Sequence, residues 1–324
     1  MTTPPVGGID LGGTKIEAIV LTSAREVAGQ ARRPTPTTGG PAAVAAAMVE
    51  AMRAAAQAAG STSRALGGVG VGSPGEVDSV AGTVTEARNL PGWTGTYALG
   101  AQLKRSLGTT VRLGNDVHVA TQAEYLLGAA RGFSSVLGVF WGTGVGGSLI
   151  LDGRMWEGRG AAGEIGHMVV VDGGAKCTCG RRGCMEAYAG RAAMELEARR
   201  RVKKGEKTDL FAIMKQHGAA RLTSGIWQRA LEHKDKMAVA LIDRAVEAIA
   251  AAVASAVNLL DVEAVVVGGG LGVRLGGPYL TRIERAMKPH LFVDSRPPAM
   301  RVAELGDLGG AIGAALLVTQ TKTG

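Results

Sequence analysis

The sequence predicts an α/β protein of two domains enclosing a cleft, and three observations carry that expectation. Strand-like apolar runs alternate with helical periodicities along most of the chain, which favours a sheet covered by helices. A strand, glycine turn and strand occur in that order twice, at Val6–Leu21 and Val136–Leu151, so the chain looks internally duplicated. Its 324 residues also exceed what one core comfortably serves.

The first strand, Val6 to Asp10, enters Leu11-Gly12-Gly13-Thr14-Lys15 and resumes as the apolar run Ile16 to Leu21, the pattern of a β-hairpin with a glycine turn. An Ala-rich helix near Ala42 to Ala59, a buried strand at Leu66 to Val71, a helix near Tyr97 to Leu107 and a strand at Thr110 to Leu113 follow. An amphipathic helix then runs from about Val117 to Leu127. The hairpin pattern returns as Val136 to Trp141, Gly142-Thr143-Gly144-Val145-Gly146-Gly147 and Leu149 to Leu151. Ile242, Val246, Ile249, Val253, Val257 and Leu260 recur at helical spacing, after which Val262 to Val267 reads as a buried strand ended by Gly268-Gly269-Gly270. A helix from about Tyr279 to His290, a strand near Arg301 to Ala303 and an Ala-rich helix from about Leu308 to Val318 complete the chain. The charged segment Val202 to Asp235 reads as helical, with no role assigned.

With 46% hydrophobic residues, 50 glycines and 4% aromatics, the composition is that of a globular protein rich in tight turns. Met1 to Gly8 lacks the basic leader and apolar core of a signal peptide, so a cytoplasmic protein is expected. The most apolar helical stretch, Ala248 to Leu260, is too short to span a bilayer, and no membrane association is expected. The net charge of +8 is scattered except around Arg199 to Lys207, which reads as a solvated helix end, so no nucleic-acid partner is expected.

Backbone N–H groups hold phosphate oxygens well, and glycine lets the backbone approach them closely; Gly12-Gly13 and Gly142 to Gly147 both offer this. Asp10 ends a strand at the first turn, where its carboxylate can hold Mg²⁺ directly or through water, and Thr14 and Lys15 add a hydroxyl and a cation. Either turn alone would serve geometry only; two of them, one flanked by Asp and Lys, favour a triphosphate. A strand-like run rather than a helix follows each, which disfavours P-loop and dinucleotide-binding readings. Asn115-Asp116 lies between a strand and a helix, and a carboxylate there would accept a hydroxyl proton as a P–O bond forms. Asn or Asp before a helix is equally the preferred N-cap, which by itself accounts for both residues.

The most specific pattern is His167 with Cys177-Thr178-Cys179-Gly180-Arg181-Arg182-Gly183-Cys184, three thiols and an imidazole suited to a closed, structural Zn²⁺ site. A disulfide would leave one cysteine over and suit an exported chain better. Glu164 and Glu186 flank this loop, and carboxylates accept strong hydrogen bonds from sugar hydroxyls, although glutamates are commonly just solvated.

These residues resemble the ROK family of bacterial sugar kinases and repressors, especially its glucokinase branch. The resemblance runs over nearly the whole chain and rests on Asp10-Leu11-Gly12-Gly13-Thr14-Lys15, Asn89-Leu90-Pro91-Gly92-Trp93, Asn115-Asp116, Gly142-Thr143-Gly144-Val145-Gly146 and Gly163-Glu164-Ile165-Gly166-His167 with the Cys run and Glu186. It implies a two-domain actin-like, ribonuclease H-like ATPase fold with a central cleft. The smaller lobe would comprise residues 1–116 with about 308–324, and the larger, residues 117–307, would carry the zinc loop. It implies ATP-dependent phosphorylation of a hexose with Asp116 as the base. Asn89, Asn115, Glu164, His167 and Glu186 would line the sugar, joined by Gly75, and Gly144 would sit where sugar and phosphate meet. Asp10, Gly12, Gly13, Thr14, Lys15, Gly142, Thr143, Gly144 and Gly146 would hold the ATP phosphates and Mg²⁺, with Gly268, Gly269 and Gly270 against the adenosine. The stretches Leu222-Thr223-Ser224-Gly225 and Leu308-Gly309-Gly310-Ala311 look like glucokinases in particular, which raises glucose above other hexoses, N-acetylhexosamines and the polyphosphate-using kinases. A homodimer or homotetramer is expected by the same resemblance. A sugar-sensing repressor is the other reading, but nine residues before Asp10 are too few for a helix-turn-helix and such a sensor would not need Asp10, Lys15 and Asp116 together.

Overall fold

The computed structural model describes residues 3–87 and 90–319. They form two compact units, one of the chain up to Gly128 with the chain from Asp307, the other of Ala129–Gly306.

In the first unit β1 (Val6–Leu11) and β2 (Lys15–Leu21) make the expected antiparallel hairpin, with β3 (Val27–Pro34) beside β2. After α1 (Gly40–Ala58), β4 (Val69–Ser73) pairs parallel with β1. A small antiparallel sheet follows, β5 (Glu76–Asp78), β6 (Thr83–Thr85) and β7 (Thr96–Tyr97), then α2 (Leu99–Leu107), β8 (Val111–Asn115) and α3 (Asp116–Leu127). The sheet runs β3-β2-β1-β4-β8. Tyr97, read from the sequence as a helix start, is an edge-strand residue, and β3 escaped that reading because most of its side chains are exposed.

Both faces of this sheet are covered, which is why β1 and β2 read as nearly unbroken apolar runs. A Cβ on Gly7 would meet Met52 of α1, and one on Gly8 would meet Ala311 and Ala315 of the last helix, Gly309–Thr319; alternating side-chain directions therefore put the two helices on opposite faces. The last helix lies backbone-close to its neighbours: a Cβ on Gly70 would land on the Ala314 carbonyl oxygen, and one on Gly313 on that of Val119. Small residues are therefore a packing requirement. Gly70→Ala is expected to cost ~1–3 kcal/mol or more by overpacking, read as a drop in denaturant midpoint. Gly277→Ala, with nothing within 4 Å of its Cβ, is the control and should be neutral or stabilising.

In the second unit β9 (Val136–Trp141), β10 (Val145–Leu151) and β11 (Arg154–Trp156) form an antiparallel meander. The helices α4 (Glu186–Ala189), α5 (Arg191–Lys203), α6 (Leu210–Gln216), α7 (Ser224–Glu232) and α8 (Lys236–Leu260) come next. Then β12 (Ala264–Gly268) runs parallel to β9, α9 (Gly269–Met287) follows it directly, and β13 (Ala299–Val302) lies parallel to β12. The order β11-β10-β9-β12-β13 repeats that of the first sheet strand for strand and in every relative direction, so the duplication seen in the hairpin motifs extends to the whole topology. Leu241, Ile242, Ala245, Ile249 and Val253 of α8 form its buried stripe, in one core with Trp141 and Trp227.

Sequence-based boundaries sharpen or move in three places. The segment 202–235, read as helical, comprises the end of α5 and two short helices joined by turns. The helix placed at Tyr279 begins ten residues earlier, at Gly269, with a kink at Gly276 (φ 60°, ψ −153°); glycines in that stretch hide the helical period. The helix after Asp116 belongs to the first unit, not the second, because Val119 packs against Gly72, Gly114 and Gly313, and the division falls after Gly128. No helix among the described residues is long and apolar enough to cross a membrane.

Candidate active site

Within the first unit, Asp10 lies near the end of β1 opposite Gly72 of β4, and Ser73 of β4 is opposite Asn115 of β8. Two carboxylates, Asp10 and Asp116, thus stand at the carboxyl ends of parallel strands with β4 between, the end of an α/β sheet where ligands gather. Asn115 takes the capping role: its Oδ1 accepts from the backbone N–H of Val117 (3.0 Å) and His118 (3.3 Å). Asp116, the first residue of α3, also accepts from Val117 N–H (3.0 Å), but the cap itself is already supplied by Asn115.

Burial, and then the Asp116 carboxylate, raise the Asp10 carboxyl to about 7, against a smaller opposing pull from Lys15. Such a site is short of positive charge, which suits a divalent cation on the Asp10 carboxylate. The sign follows from linkage: a carboxyl titrating higher in the fold than unfolded makes the fold lose stability as pH rises from about 4 to about 7. Without nucleotide or Mg²⁺, Asp10→Asn should melt like wild type near pH 4 and above it at pH 8, by up to ~4 kcal/mol. A pH-independent difference in melting temperature would contradict this assignment.

The first glycine turn is closed by Gly12 N–H donating to the Lys15 carbonyl (2.9 Å) and braced by buried Thr35, whose hydroxyl donates to the Gly12 carbonyl (2.7 Å) and whose N–H donates to that of Thr14 (3.2 Å). The Lys15 ammonium, expected to face phosphate, is 3.0 Å from Asp307, just ahead of the last helix, and 3.9 Å from Glu17. Glu17 is wholly buried and also held by Gln30 (2.9 Å) and Arg32, and Arg32 reaches Asp307 (3.2 Å). Breaking this cluster at Arg32 would leave a buried carboxylate short of a partner. Gly75 follows β4 with φ +91°, its Cβ direction closed off by Thr85 and Ala87. Asn89 lies outside the described residues.

Within the second unit the other turn is closed by Gly142 N–H to the Gly144 carbonyl (2.9 Å). The start of α5 clamps it: Arg191 N–H donates to the Gly142 carbonyl (3.1 Å), Ala192 N–H to the Thr143 carbonyl (3.0 Å), and the Arg191 guanidinium to Thr143 Oγ1 (2.8 Å) and Ser224 Oγ (2.8 Å). Gly269, at φ +77°, packs so closely on the backbone of Trp141 that only glycine fits, and this turns the chain from β12 into α9 beside the same turn. Gly268 to Gly270 thus both end β12 and open a helix, a strand–glycine–helix step.

Glu186 joins the turn to the cysteine loop. One carboxylate oxygen accepts from Val145 N–H (2.9 Å) against Gly144, and the other from the Thr178 hydroxyl (3.1 Å), with Cys177 Sγ 3.9 Å away. Gly146, two residues beyond Gly144, lies in β10, and Glu164 and His167 lie on a turn packed along that strand.

The ligand atoms of His167, Cys177, Cys179 and Cys184 all lie within 4.8 Å of one another. Cys179 and Cys184 sulfurs are 3.7 Å apart, and Cys177 Sγ is 3.8 Å from His167 Nδ1. A tetrahedral zinc ion with Zn–S near 2.3 Å requires edges of about 3.6–3.8 Å, which these two distances match, so the cluster could hold that ion, and its three cysteines are free thiols. Burial and the neighbouring thiols push Cys184 up to about 12, so a cation is what would hold that sulfur as a thiolate. Nε2 of His167 faces Glu164 at 3.9 Å, the orientation that a supporting carboxylate gives a metal-bound imidazole.

Arg191, Thr35 and Asp307 were not singled out in the sequence. An acid inside the apolar run Ile16-Glu17-Ala18-Ile19 was the available hint of a buried ionic cluster, whereas nothing local marks Arg191.

A sequence model of the ROK family matches residues 6–321. The chain is similar to a glucokinase of Halalkalibacterium halodurans, 31% identical over 318 residues that cover 97% of this chain and 95% of the relative. It is 32% identical to an N-acetylgalactosamine kinase, AgaK, of a Shewanella species, over 96% of this chain and 95% of the relative. Among solved structures, a ROK family glucokinase from Streptomyces griseus in complex with glucose and AMPPNP superimposes with a TM-score of 0.83 at 30% identity, covering 98% of this chain and all of that one. Together with the duplicated sheets, this likeness puts the chain in the two-domain actin-like fold class.

Proposed function

This chain belongs to the ROK family, and we propose that it is an ATP-dependent sugar kinase whose preferred acceptor is glucose, yielding glucose 6-phosphate. The observation that carries the reading is the placement of Asp10 and Asp116 at the carboxyl ends of two parallel strands with one strand between them, beside a glycine turn and with capping already supplied by Asn115. The Asp116 carboxylate accepts the proton of the sugar hydroxyl as its oxygen bonds to the γ-phosphorus. The bond from that phosphorus to the β–γ bridging oxygen breaks, ADP departs, and Asp116 returns the proton to solvent. Mg²⁺ on the Asp10 side would supply charge neutralisation for the phosphate oxygens. The Gly12–Lys15 and Gly142–Gly144 turns hold the phosphate chain, and Gly268–Gly270 take the adenosine. Asn89, Asn115, Glu164, His167, Glu186 and Gly75 orient the sugar. Zn²⁺ on His167, Cys177, Cys179 and Cys184 would supply a fixed cross-link that positions Glu186 and His167.

Glucose is favoured because curated glucokinases align with almost the whole chain and the glucose-bound glucokinase superimposes well. A cytoplasmic homo-oligomer is the matching expectation. A coupled assay of glucose, mannose, fructose, allose and the N-acetylhexosamines against ATP and polyphosphate tests the reading. Glucose with ATP should give the highest kcat/KM, by a factor of ~10² or more over sugars whose polar groups find no partner. A higher kcat/KM on an N-acetylhexosamine would reassign the acceptor, and no transfer to any sugar would remove the kinase reading.

A further inference from the structure

Arg191 is partly buried at the start of α5, and the hydrogen-bond partners of its guanidinium are two neutral hydroxyls, Thr143 Oγ1 and Ser224 Oγ, each 2.8 Å away. Among the described residues no carboxylate forms an ion pair with it: Glu195, the nearby acid on the same helix, is bound to Arg199 (2.6 Å) and to the N–H of Leu222 (2.9 Å). Burial disfavours the charged form of this side chain, Glu195 offsets part of that, and Arg221 adds to it. A partly desolvated cation served only by hydroxyls carries a cost in the free protein, and a planar fork of donors is well matched to phosphate oxygens.

Its surroundings name the anion. Thr143, which it holds, is in the Gly142–Gly144 turn, and Gly270, in the first turn of α9, has its N–H nitrogen 4.0 Å from where a Cβ on Gly142 would stand. That helix end adds its own partial positive charge toward the same turn.

Resting on the kinase reading, we propose that Arg191 is a donor-binding residue, its guanidinium contacting a phosphate oxygen of the nucleotide seated on the Gly142–Gly144 turn. Thr143 and Ser224 hold the fork in place until the nucleotide arrives, so the residue binds the donor and leaves the sugar alone.

The test is isothermal titration of the full chain with MgADP for wild type, R191K and R191Q, with KM for MgATP and for the best sugar. MgADP affinity should fall ~10–100-fold in R191Q and less in R191K, which keeps the charge but loses the fork. KM for MgATP should rise in parallel, and KM for the sugar should stay within about 2-fold, the selectivity expected of a donor contact. A purely scaffolding arginine gives similar losses in R191K and R191Q, with the sugar KM rising alongside that for MgATP, because neither side chain spans both hydroxyls. That pattern, or MgADP affinity within about 2-fold of wild type in both, overturns the proposal. R191M removes the charge equally and replaces R191Q if melting shows that variant misfolded. Wild type that binds no MgADP would sink the kinase reading and this proposal together, whereas tight binding indifferent to residue 191 sinks this proposal alone.

Discussion

Asp116→Asn is expected to lower kcat by ~10²–10⁴-fold while sugar affinity stays within a few-fold of wild type. The asparagine keeps the size of the side chain and can still accept from Val117 N–H as Asp116 Oδ1 does now at 3.0 Å, so the start of α3 should survive. Asn115, the cap, is untouched. What disappears is the carboxylate proposed to take the sugar's proton beside Asp10. Removing the Asp116 charge should also let Asp10 ionise at lower pH, since that carboxylate is the second cause of its raised value after burial. Single-turnover phosphorylation and tryptophan-fluorescence titration with glucose separate the two quantities. A variant with near-normal kcat would dismiss Asp116 as the base, and one that loses sugar binding and turnover alike would recast it as a binding residue.

Cys184→Ser is expected to abolish binding of about one zinc per chain, lower the melting temperature sharply and raise the sugar KM by at least ~10-fold. Structural zinc sites carry on the order of 10–16 kcal/mol of binding free energy, which is folding free energy for the segment that holds them. Cys184 is wholly buried and the backbone around it is tied to the same loop: Val170 N–H donates to the Gly183 carbonyl and Met185 N–H to that of Met168. The consequence reaches the pocket through Glu186, two residues on, whose carboxylate spans Thr178 of the loop and Val145 of the second hairpin. Elemental analysis, thermal melting with and without a chelator, and kinetics on the same samples decide it. A metal-free preparation with full activity and an unchanged melting temperature would refute the zinc assignment.

How far each feature could be read in advance depended on how local its cause is. Both glycine-turned hairpins, the cap at Asn115 and the spacing of the three cysteines are short-range patterns, and each stands in the structure where the residues suggested. The edge strand Val27–Pro34 was invisible because an edge needs no apolar alternation, and the helix from Gly269 because its glycines erase the helical period. Lys15 was legible as a cation beside a phosphate-type turn, but its pairing with Asp307 joins residues almost three hundred positions apart and had no local sign.

The chain's family, its two glycine-turned hairpins and the close run of three cysteines were determined by sequence alone, because each depends on residue identities a few positions apart. Tertiary structure alone decided that the helix after Asp116 packs with the first unit, that Glu186 links the cysteine loop to Gly144, and that the partly buried Arg191 stands against Thr143. Those depend on which backbones approach closely enough to forbid a Cβ and on where burial strips water from a charge, and both are properties of packed neighbours distant along the chain.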